Sequence, residues 1–112
     1  MDKLNQYKTT IKAILNEYKN IVPAHLPEVE NELIIDEVGD HYQLMRIGFE
    51  DRRRVYYSVF HFDIINNKIY IQQDTTDIPV AQLLLDAGIS KEDIVLAFHA
   101  PYKRAMTGMA VS

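Results

Sequence analysis

The chain contains no cysteine, which removes disulfide staples and thiolate metal sites and leaves a composition compatible with a reducing compartment. Glycine is scarce, with four in 112 residues, so the raw material for a phosphate-cradling loop is missing. No serine lies in a nucleophile elbow, and no pair of carboxylates has a recognisable catalytic spacing. An enzyme is therefore not expected, and neither a catalytic residue nor a cofactor is assigned. Apolar runs extend for only a few residues, far short of the roughly 20 that cross a bilayer. The polar start passes directly into a helical pattern, leaving no room for a signal peptide. A soluble cytoplasmic protein without membrane contact is the expectation. Positive charge is in deficit too: 12 Lys and Arg against 16 acidic residues give a net charge of −4. That balance disfavours a surface that grips nucleic-acid phosphates.

What remains is ordinary folding material. Hydrophobic residues make up 47% of the chain, enough for one domain spanning residues 1–112 to bury a core unaided. Its centre of gravity is Val55–Asp74, where two β-branched and aromatic segments flank Asn66-Asn67. Asparagine tolerates the positive φ that a type I′ hairpin turn demands. That turn would set Ile64 against Ile69, Phe62 against Ile71 and Phe60 against Gln73. Phe60, Phe62, Ile64, Ile69 and Ile71 then form one greasy face. The other face would carry Tyr57, Val59, His61, Asp63, Tyr70, Gln72 and Asp74.

Upstream, apolar residues from Leu4 to Val22 recur at spacings of three and four, an amphipathic helix stopped by Pro23. Strands are expected over 32–38 and 42–49, with Gly39 opening a type II′ turn that opposes Ile35 to Leu44 and Ile34 to Met45. Downstream, Asp74–Asp77 offers caps for a helix with Val80, Leu83, Leu84 and Ala87 at helical spacing, ended by Gly88. Ser90–Asp93 resembles a capping box, and residues 94–98 suit a last short strand. The fold class is α+β: an antiparallel four- to five-stranded meander with the N-terminal and second helices packed on one face.

Chemistry-bearing groups are few. His61 and Asp63 share a strand face with Tyr70 and Gln72 opposite, but a metal site wants three or four ligands, so they read as part of a polar cross-strand network and no metal is assigned. His99 would join them only if the last strand brought it near. Arg52-Arg53-Arg54 and Lys103-Arg104 are the positive clusters. Tyr57, Val59, His61 and Tyr70 form the candidate partner interface, with Lys103 and Arg104 beside it, because aromatic rings with polar tips suit protein contacts. Unless the Ala100–Ser112 tail folds across it, an uncovered face of this kind implies a homo-oligomer, a dimer first, or another protein partner.

Read in order, Asp40-His-Tyr-Gln-Leu, Arg54-Val-Tyr, His61-x-Asp-Ile, Lys68-Ile-x-Ile-Gln, Lys91-x-Asp-Ile-Val-Leu-Ala-Phe-His and Lys103-Arg104 resemble the XisI family. Its members are small controlling factors for developmental excision of a DNA element in nitrogen-fixing filamentous bacteria. Departures are modest: Asn66-Asn67 replaces a glycine-containing turn, Phe49 and Tyr70 stand where tryptophan is common, and Gly108-Met109 replaces a Glu-Phe-like pair. The resemblance implies a non-enzymatic accessory factor for site-specific excision that works through protein contacts with an XisH-type partner. The alternative is a regulator that touches DNA directly through Arg52–Arg54 and Lys103-Arg104.

Overall fold

The computed structural model describes residues 2–112. Its order is α1 (Lys3–Tyr18), β1 (Val29–Asp36), β2 (His41–Glu50), β3 (Arg53–Ile65), β4 (Lys68–Asp74), α2 (Val80–Asp86), a single 3-10 turn (Lys91–Asp93), β5 (Ile94–Leu96) and α3 (Pro101–Arg104). The five strands form one sheet in sequence order. The first four make the expected antiparallel meander. β5 instead runs parallel to β4, pairing Ile69 with Ile94 and Ile71 with Leu96. The sheet is therefore mixed, because the α2 crossover returns the chain in the direction of β4.

Helix α1 starts where Asp2 accepts the Asn5 backbone N–H at 2.8 Å, a side-chain cap for an otherwise orphaned donor. It stops at Tyr18 rather than Val22: the Ile21 N–H turns back to the Tyr18 carbonyl, and Asn31 donates to the Ile21 carbonyl at 2.8 Å. Tyr7, Ile11, Ile14 and Leu15 lie on its buried stripe. They pack with Tyr42, Leu44, Phe60, Phe62, Ile64, Ile69 and Ile71 from the sheet and with Val80 and Leu84 from α2. One sheet face thus carries both α1 and α2.

The central hairpin forms as expected, with Asn66 and Asn67 at φ 51° and 62°. Ile64 pairs with Ile69 and Phe62 with Ile71, but Phe60 meets Asp74 rather than Gln73. A register shift beyond Phe62 leaves Gln72 as an extra residue on β4 and sets His61 opposite Gln73. A second bulge lies between β2 and β3: Leu44 pairs with Phe60 and Met45 with Ser58, so Val59 is extra. An inserted residue reverses the alternation beyond it. Val59 is consequently 1% exposed in the core, and Tyr57 packs on the helix side. The expectation that both share a face with His61 and Tyr70 is corrected by this single bulge.

The first hairpin also differs in detail. Ile35 pairs with Tyr42 and Leu33 with Leu44, a shift of two residues from the expected register. An even shift preserves the faces. Its turn spans residues 37–40, and the left-handed residue is Asp40 (φ 60°), not Gly39. Asp36 anchors it by accepting the Val38 and Gly39 N–H groups, each at 3.0 Å. Ahead of α2, Asp74 folds its own turn by accepting the Thr76 N–H at 2.9 Å. Pro79 holds the N-cap position and there is no side-chain cap. Gly88 ends that helix at φ 93°.

Candidate functional site

Among the described residues, no helix is long and apolar enough to cross a membrane. The surface that carries the most chemistry is the sheet face opposite the helices. Alternation places Glu30, Glu32, Ile34 and Asp36 of β1 there, with His41, Gln43, Met45, Ile47 and Phe49 of β2. From β3 and β4 come Arg54, Tyr56, Ser58, His61, Asp63 and Tyr70. This face divides in two, and the β3 bulge lies at the divide.

Toward one end lies an apolar strip. Phe49 is 44% exposed and Tyr56 64%, with Ile47 directly opposite Tyr56; Ile34, 46% exposed, stands apart, opposite Gln43 in the row of His61. The Arg54 guanidinium lies 5.1 Å from the Phe49 ring centre and 5.8 Å from that of Tyr56. A cation laid over two rings shields them in part without removing them from solvent. Sequence reasoning missed this strip because it assigned the aromatic positions of β3 by unbroken alternation; the bulge exchanges Tyr57 for Tyr56.

Toward the other end lies a polar cluster. His41 stands directly opposite Asp63 on the neighbouring strand, and His61 is two residues away on the same strand. His41 Nδ1 is 2.7 Å from Asp63 Oδ1, and His61 Nε2 is 2.9 Å from that same oxygen. Gln72 Nε2 donates to the other oxygen, Oδ2, at 3.2 Å. Asp63 is 8% exposed. The hydrogen bond to Asp63 and the charge behind it hold the His41 pKa above its usual value. His41 is the member that the sequence did not reveal. Its partnership depends on a cross-strand register that no local pattern fixes, and His99 is absent from the cluster, its ring lying 4.6 Å from that of Phe98.

The remaining candidates are dispersed. Tyr57 accepts a hydrogen bond from Arg46 at 3.2 Å on the helix side, and Arg46 also donates to Asn31 at 3.1 Å. Arg46 lines a cleft of about 220 Å³ together with Tyr18, Ile21, Leu44, Val59 and Phe60. Arg104 is held inside the C-terminal segment, donating to the carbonyls of His99 at 2.9 Å, Ala97 at 3.2 Å and Val111 at 3.3 Å. It clamps the tail beside β5, where Ala110 bridges Val95. Lys103 is exposed on α3 beside Tyr102. Arg53 pairs with Glu50 at 2.5 Å, and Arg54 lies over the aromatic strip. The two basic clusters therefore do not merge into one cationic surface.

The family model described as "XisI protein" matches residues 1–111. A crystal structure of a XisI-like protein from Anabaena variabilis is 40% identical, covering 97% of this chain and 99% of that one with a TM-score of 0.90. The crystal structure of the fdxN element excision controlling factor XisI from Anabaena variabilis is 38% identical, covering 99% and 100% with a TM-score of 0.86. Among curated proteins none matches the chain.

Proposed function

The chain belongs to the XisI family, and from that premise we propose that it is a non-enzymatic factor controlling excision of a DNA element through protein contacts. The excision role rests on the full-length likeness to a structure known as an excision controlling factor. The mode of action rests on the open sheet face. Ile47, Phe49 and Tyr56 give it an apolar centre, and Glu30, Glu32 and Arg54 give it a charged margin. A dry aromatic centre inside a polar rim is the make-up of a protein interface. The occupant is a second copy of the chain or an XisH-type protein; Tyr70 and His61 border the surface, whereas Tyr57 and Val59 do not reach it.

Co-expression with the XisH-type partner, followed by affinity capture and size-exclusion chromatography, tests this reading. Phe49→Asp combined with Tyr56→Asp should abolish co-capture or reduce the hydrodynamic size to that of a monomer, with an unchanged circular dichroism spectrum. Unaltered capture and unaltered size would refute it. Retardation of DNA by the chain alone, weakening steeply with salt and lost when Arg52–Arg54 are neutralised, would turn the reading to direct DNA binding.

A further inference from the structure

The polar end of the open face has a geometry that the excision role does not require. Two imidazole nitrogens from different strands converge on one carboxylate oxygen, and the three ligand-type atoms lie within 4.8 Å of one another. Without a cation that oxygen must take N–H donors from both rings at once, at 2.7 and 2.9 Å. We propose that His41, His61 and Asp63 form a binding site for a divalent transition metal of the zinc class.

The donor set fixes the class of ion. Two neutral imidazoles and one carboxylate suit zinc, cobalt and nickel, whereas calcium and magnesium favour all-oxygen shells. The spacing fits as well. Ligand atoms about 2.0–2.2 Å from a tetrahedral zinc stand roughly 3.3 Å apart, so each present N···O separation need open by only about half an ångström. His41 opens β2 and is exposed, and the His61 side chain, on the central strand β3, is 28% exposed, so each ring has an open side on which to make that adjustment by rotation. The scaffold is stiffer: Asp63 is 8% exposed, and Gln72 holds its second oxygen at 3.2 Å. A carboxylate oriented by a neighbouring amide is the usual support of a metal ligand.

Three protein ligands leave a coordination position open. Solvent reaches the cluster at His41, whose side chain is 56% exposed. The open position lies on the same sheet face as the apolar strip, so water or a side chain of a docked protein completes the shell. The site ties the start of β2 to the middle of β3.

The test uses the tag-free full chain, stripped with chelator and dialysed against zinc or cobalt. About one zinc per chain by elemental analysis, visible ligand-field bands with cobalt, and a melting temperature raised by saturating zinc are expected. His41→Ala and His61→Ala should each weaken zinc binding at least about tenfold, whereas His25→Ala and His99→Ala should leave it unchanged. Magnesium should not compete. His41 is exposed, so His41→Ala preserves the fold even where a change at Asp63 does not. No zinc taken up, or stoichiometric zinc that survives both His41→Ala and His61→Ala, would overturn the proposal.

Discussion

The two faces of the sheet are drawn from alternate residues of the same strands, yet they are built on different principles. On the covered face, Tyr42, Phe60, Phe62, Ile69 and Ile71 are all 0% exposed, packed in one core with the helices. On the open face, Phe49 and Tyr56 rest on their own strands with an arginine laid over them. The first arrangement makes a fold. The second keeps apolar area available at little cost to a lone chain, since single exposed aromatics are tolerated where a large contiguous patch is not.

The comparison can be sharpened with one chemical change made on each side. Phe62→Ala should cost about 3–5 kcal/mol, as large-to-small changes in a closed core do, and urea melts should register it as a much lower midpoint. Phe49→Ala should stay within about 1 kcal/mol of the parent, because the ring is already 44% exposed. Equal losses from the two substitutions would mean that the open face is covered in the folded chain, and the contrast between the faces would fail.

A smaller effect tests what fastens the helical layer at its edge. Tyr7 donates from α1 to Asp93 in the 3-10 turn, and Lys3 lies 2.7 Å from the same carboxylate. Burial, the largest single influence on Asp93, pushes its pKa up. The hydrogen bonds from Lys3 and Tyr7, with the charge of Lys3, outweigh it and leave the group below its usual value of 3.8. A depressed carboxyl pKa contributes stability that is present above about pH 3.8 and is lost as pH falls through the folded-state value. Tyr7→Phe should therefore cost about 1–3 kcal/mol near pH 7, and the gap from the parent should narrow as pH drops below about 3.8. A gap that is constant with pH would assign the loss to packing alone.

Much of this layout was legible before any coordinates. Spacings of three and four gave α1 its buried residues, and Asn66-Asn67 gave the turn that pairs Ile64 with Ile69, because both signals are local. The first hairpin was misread by two residues, yet its faces survived because strands alternate with a period of two. What escaped was whatever depends on an odd insertion or on distant pairing. The extra residue Val59 moves itself and Tyr57 beneath the helices, and nothing in Tyr57-Ser58-Val59 marks a bulge. His41 meets Asp63 only through the register between β2 and β3. The parallel placement of β5 needs the whole crossover, and Arg104, one half of a basic pair beside the expected interface, finds its carbonyls in a tail that folds back.

The least effect is expected at the hinge shared by both faces. Asn66 and Asn67 both occupy the left-handed region, at φ 51° and 62°, where any residue with a Cβ is strained and asparagine less than most. Asn67→Gly relieves that strain while loosening the unfolded chain, so the two effects oppose each other. Relief should prevail, because the turn is tight and its flanking pairs are fixed, giving a gain of about 0.5 kcal/mol by chemical denaturation. The turn touches neither the aromatic strip nor the histidine cluster, so partner capture and zinc uptake should stay at parental levels. A gain in stability accompanied by altered capture would mean that the hairpin's twist, and not its side chains alone, shapes the open face.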